Sequence, residues 1–155
     1  MKILLSLISI LSASSLTQAS GLVNCKSVIL QGGQPVLKAE IKVERARISE
    51  IPGQFPIVLS GMAEYMGEKK PLPPTQGLRT VHRKGTPEFN AQVARLQKIM
   101  NVVPLLPKSY GVIIYKATTS GEEPTVSVVE LADADMVSLA RGAEWGWGLP
   151  FSVCR

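Results

Sequence analysis

"VLKAEIKVER", residues 36–45, decides the fold. Leu37, Ala39, Ile41 and Val43 alternate with Lys38, Glu40, Lys42 and Glu44. Successive side chains of a strand point to opposite faces, so this stretch is a strand with one face in a core and one in water. Its charges belong to a solvated face rather than to a pair of catalytic carboxylates. Residues 23–30 form the other arm just upstream, and the segment Gln31-Gly32-Gly33-Gln34-Pro35 joins the two as a β-hairpin. Downstream, residues 57–66 are a further strand, entered through Phe55-Pro56.

Residues 66–85 have a different character. Lys69, Lys70, Arg79, Arg83 and Lys84 stand against one acid, Glu68, among Pro71, Pro73 and Pro74. Proline lacks an N–H and favours polyproline geometry, so the first part is expected as an extended loop, with a short strand over 78–83. The five cations form a candidate anion-binding patch; the plainer reading is a solvated loop.

Thr86-Pro87-Glu88 is a helix start: a capping hydroxyl, proline at the first helical position and an acid in the first turn. Phe89, Val93, Leu96 and Met100 then recur on one helical face, which predicts a helix over 87–100 packed on the sheet. Residues 110–117 and 125–131 are nearly continuously apolar arms of a second, central hairpin around Ser120-Gly121. A short helix is expected over 132–141, stopped by Gly142, and a last strand over 145–154. Trp145, Trp147, Leu149, Phe151 and Val153 share one face of that strand. This makes the tryptophans core residues rather than a ligand platform, unless a bulge at Pro150 resets the alternation.

The chain has two cysteines, Cys25 and Cys154, near its two ends. In an oxidising compartment they are most simply one disulfide, which requires the first and last strands to be neighbours. A small antiparallel barrel or sandwich follows, mainly β, with one packed helix and its terminal strands joined by the disulfide. It is not an outer-membrane barrel, because its outward positions carry Lys and Glu where lipid needs an apolar band.

The opening residues are read as an address. Lys2 precedes an apolar run over 3–16, and Thr17 and Ala19 stand at the −3 and −1 positions of a small-residue cleavage site. Residues 1–19 are thus expected to be a secretory signal peptide and 20–155 a single β-rich domain. The apolar run is too short to span a membrane, and no later segment does so. Leu22-Val23-Asn24-Cys25 has the outline of a lipidation box, but Asn24 stands where a small residue is needed. The formal charge of +5 falls to +4 without Lys2, short of a nucleic-acid footprint.

Chemistry is sparse. His82 is the one histidine, so no histidine metal cluster exists, and no cofactor motif appears. Glu130, Asp133 and Asp135 lack the spacing of a calcium loop and read as a solvated turn or helix start. Glu144 beside Trp145, with Asp135 as partner, is the one arrangement that would suit glycoside hydrolysis. The leading expectation is a small exported bacterial envelope protein, periplasmic or extracellular, that binds an anionic envelope component or an acidic protein. The alternative is a glycan-acting hydrolase or carbohydrate-binding domain using Glu144, Trp145 and Trp147.

Overall fold

The computed structural model describes residues 21–46, 55–118, 126–146 and 149–155. They hold eight strands: β1 (Gly21–Gln31), β2 (Gln34–Arg45), β3 (Pro56–Tyr65), β4 (Glu68–Arg83), β5 (Gly111–Ala117), β6 (Val126–Ala132), β7 (Ser138–Trp145) and β8 (Ser152–Val153). They pair antiparallel in chain order, and the sheet curls into a nearly closed barrel. Cys25 and Cys154 are bonded, and the Arg155 N–H donates to the Lys26 carbonyl at 2.9 Å beside them. The terminal strands are therefore neighbours, as the cysteine positions require.

The first hairpin turns on two residues. Gln31 faces Gln34, while Gly32 and Gly33 sit at φ 60° and 79°. Two consecutive left-handed residues match the twist of the flanking strands, and glycine adopts that conformation without a Cβ clash. The β2 alternation is as read. Leu37, Ala39, Ile41 and Val43 are buried and their charged neighbours face outward.

Three expectations need correction. The proline-rich segment is not a loop but the first part of β4. Beyond β3, β4 pairs with β5 only from Gly77 to Arg83, so Pro71, Pro73 and Pro74 lie where the second edge of β4 is unpaired. A missing N–H breaks no ladder bond there. Three steps on β4 (Leu72 to Thr75) oppose two on β3 (Leu59 to Gly61), so the proline pair sits in a bulge.

Residues 132–141 are not a helix. Asp133 Oδ1 accepts from the backbone N–H groups of Asp135 and Val137, both at 2.9 Å, which folds a turn that feeds β7. An aspartate that bonds nearby backbone competes with helix formation in this way. Gly142 lies within β7, where a Cβ would run into the ring of Phe151. The last strand is also two pieces. β7 ends at Trp145, the chain reverses, and β8 returns with Gly142 opposite Val153. The alternation over 145–154 therefore spans a turn and does not define one face.

The helix is as expected: α1 (Pro87–Met100), with the Thr86 hydroxyl accepting from the Phe89 N–H at 3.2 Å. Asn101 ends it in the left-handed conformation, and a 3-10 helix (Val103–Lys108) leads to β5. Phe89 and Leu96 pack with Val102, Val112, Val129 and Leu131 on the outside of the barrel wall. The barrel interior holds the larger core, from Cys25, Leu37 and Ile41 through Ile113, Tyr115 and Val128 to Trp145. The second half of the wall is thus buried on both faces, which explains the continuously apolar arms of β5 and β6.

Candidate anion-binding site

Each cation of the basic segment is placed by its position on β4. Lys69 and Lys70 lie at the start of the strand, and Arg83 and Lys84 lie at and just beyond its end. The two pairs are separated by on the order of 40 Å of extended chain. The structure does not bring the five together. Lys70 Nζ lies over the Tyr65 ring at 5.7 Å from its centre, and Lys84 Nζ over Tyr110 at 4.6 Å. Lys69 and Arg83 are exposed.

Arg79 is different. It faces Tyr115 across the β4–β5 ladder, and Val81 faces Ile113 two residues on. Val81, Ile113 and Tyr115 belong to the interior core, so Arg79 shares the inward parity. Its guanidinium lies over the Phe55 ring, 4.9 Å from the centre, and near enough to the Tyr115 hydroxyl to favour the phenolate. The Arg45 guanidinium, from the end of β2, also lies over Phe55, at 4.5 Å. Arg79 N–H donates to the Phe55 carbonyl at 2.9 Å, which fixes the strand against this aromatic.

A second inward pair lies beside the first. Glu130 on β6 faces Arg141 on β7, and Arg141 Nε donates to Glu130 Oε1 at 2.6 Å. Glu130 is 4% exposed, so it is an interior residue and not part of a solvated turn. Burial pushes the Tyr115 phenol above its ordinary value of 10.0, and the Glu130 charge adds to that; Arg79 and Arg141 pull it back. Three guanidinium groups and one carboxylate thus gather around Tyr115 and Phe55. Among the described residues no carboxylate lies within ion-pair distance of Arg79. On the same inner surface Ser27 is 1% exposed and its hydroxyl has no hydrogen-bond partner among the described residues.

The other sequence candidates fall elsewhere. Trp145 points inward, is 7% exposed and donates from its indole N–H to Ser152 Oγ at 3.0 Å. Trp147 lies outside the described residues. Glu144 points to the opposite face of β7 from Trp145 and is ion-paired with Arg95 of α1, which Gln92 also holds. Adjacent strand residues cannot line one site. Asp135 sits in the turn before β7, on the order of 20 Å of strand away from Glu144, whereas glycosidase carboxylates stand about 5–10 Å apart. His82 is half-buried on β4 opposite Val112. Among the described residues no three His, Cys, Asp or Glu side chains gather as a metal site.

No protein-family model, curated protein or solved structure matches this chain. Sequence reasoning included Arg79 but grouped it with four cations that lie elsewhere, and it missed Glu130, Arg141, Tyr115 and Phe55 as its surroundings. The signal was present: Glu130 interrupts the apolar run "SVVELA", and Arg141 interrupts "SLARGA". A charge within a run buried on both faces needs a partner.

Proposed function

We propose that this chain is an exported bacterial envelope protein that works by binding an anionic partner, an envelope component or an acidic protein. The binding locus is the end of the barrel where β2 leads into β3. The observation that carries this reading is Arg79, turned inward beside Arg45, Tyr115 and Phe55 with no carboxylate of its own among the described residues. Guanidinium groups near a low-dielectric wall attract anions more strongly than exposed lysines do. Export is supported by the Cys25–Cys154 bond, since such bonds persist in oxidising compartments. The signal-peptide reading of residues 1–19 agrees with it. No helix among the described residues is long and apolar enough to cross a membrane.

Retention on immobilised dextran sulfate, eluted with salt, tests the location. Replacing Arg45 and Arg79 together by Gln is expected to weaken binding by about tenfold or more. Replacing Lys69 and Lys70 by Gln leaves most of it. Equal losses in the two double variants, or full retention in the arginine pair, would end the assignment to this end of the barrel.

A further inference from the structure

We infer that the end of the barrel opposite Arg45 and Arg79 binds the alkyl chain of a single-chain amphiphile. The site is independent of the anion-binding reading above. Strand β2 runs from this end, at Gln34, to Arg45 at the other. Here the β1–β2 turn, the β3–β4 turn and the segment after β7 border a cleft of about 280 Å³. Its walls are Ile29, Val36, Tyr65 and Leu149, all of which pack on the interior core of the barrel. Water therefore meets side chains of the main core at this end. Leu30 and Met66 continue the apolar lining out to the rim, where they are 59% and 70% exposed. Exposed apolar surface costs free energy until something covers it.

Met66 carries a second cost. Tyr65 faces Glu68 across a two-residue turn in which Met66 and Gly67 stand at φ 53° and 86°. Asn, Asp or Gly take the first position of such a turn with less strain. In the β1–β2 turn Gly32 holds that place. The described fold gains nothing from a strained, unburied methionine, whereas a ligand in the cleft gains an apolar contact.

The lining selects the ligand. None of its described residues is charged, in a chain of formal charge +5, so a charged group has no partner inside the cleft. Tyr65 is the one aromatic among them, so an aromatic ligand lacks a second ring to sandwich it. The remaining walls are aliphatic and follow an alkyl chain. A water takes roughly 30 Å³ in the liquid and a methylene is of similar size, so the cleft holds on the order of nine carbons of one chain. The head group stays at the mouth in water, and the site reads the chain rather than the head.

The experiment is amide NMR of the disulfide-intact protein, following Leu30, Gln31 and Met66. Hexanoate, octanoate and decanoate are titrated below their micelle concentrations, with octyl glucoside as a chain of like length on an uncharged head. Affinity is expected to rise about fourfold per added methylene, and octyl glucoside to bind within about fourfold of octanoate. Leu30→Ser combined with Met66→Asn weakens decanoate binding by about tenfold or more. The urea midpoint of that variant does not fall, because asparagine tolerates the left-handed conformation. Val36→Phe narrows the cleft and ends the gain at a shorter chain, a change that lost stability alone does not produce. Arg45→Gln combined with Arg79→Gln leaves decanoate binding unchanged. Shifts that do not saturate, affinity independent of chain length, octanoate bound with octyl glucoside silent, or undiminished binding in the Leu30 and Met66 double variant would overturn the inference. Sedimentation with phosphatidylglycerol vesicles separates two sources of such a chain. Pelleting that the Leu30 and Met66 double variant abolishes places it in a bilayer; protein left in the supernatant while decanoate binds places it on a free amphiphile.

Discussion

Val28 and Val129 point outward from the same barrel wall, in its first and second halves. Val28 on β1 is 40% exposed, while Val129 on β6 is fully buried. The difference is α1, whose Phe89 and Leu96 cover the outer surface of β5 and β6 and leave β1, β2 and β3 facing water. The first half is held by one core and the second by two. The second half can therefore place polar groups inside the barrel without depending on the interior alone for its apolar burial. That is where Tyr115, Glu130 and Arg141 are found.

The largest effect that would break this comparison comes from one substitution made in both places. Val28→Lys adds a charge to a wall that already carries Lys26 and Lys38, and stability is expected to change by less than about 0.5 kcal/mol. Val129→Lys forces an unpaired ammonium under α1, at a cost of several kcal/mol, which is most of the stability of a small domain. Urea unfolding of the two variants measures both. Similar losses would mean that the helix does not seal the second half.

The legibility of the sequence divides along the same line. Strands β1 and β2 were readable because burying one face leaves a period of two, and the Gly32-Gly33 turn announces itself. The helix was readable from Thr86-Pro87-Glu88 and the stripe from Phe89 to Met100. Where both faces are buried, periodicity vanishes and partners cannot be read. Nothing local in "SLARGAEW" says that Arg141 meets Glu130 or that Glu144 meets Arg95. The turn made by Asp133 looked like a helix start because an aspartate caps both. The prolines of β4 misled for another reason: proline excludes a central strand but not an edge, and edges are set by topology rather than by local sequence. The arginine site depends on four ladder registers, so composition could mark Arg79 as basic without showing its neighbours.

A second test sharpens the comparison by cutting the tie between its two sides. The Cys25–Cys154 bond links β1 to the segment that follows β7 and closes a loop of 129 residues in sequence separation. Constraining so long a loop in the unfolded chain is worth about 4–5 kcal/mol in the chain-entropy description. The double Cys→Ser variant is expected to lose stability of that order in denaturant melts. Hydrogen exchange should then rise first in β1 and β8, while amides of β5 and β6 beneath α1 stay protected longest. Uniform loss of protection would show that the barrel opens as one unit and that the two-core half has no stability of its own.

The smallest expected effect concerns the phenol at the centre of the candidate site. Burial and the Glu130 charge raise the Tyr115 pKa in the folded chain above its ordinary 10.0, and the flanking arginines only partly offset them. Between the unfolded and folded values the folded chain keeps this proton while the unfolded chain releases it. The unfolded state then binds fewer protons, so stability falls as pH climbs above 10. Tyr115→Phe removes that contribution and keeps the ring. Its stability should fall less steeply across the same alkaline range than that of the unaltered chain, since every other titrating group is common to both. Thermal melts at two pH values on either side of 10 give the comparison as a difference of differences. Parallel slopes would mean that the phenol ionises as readily in the barrel as in water. The interior would then be wetter than its packing implies, and Arg79 would already be solvated without a ligand.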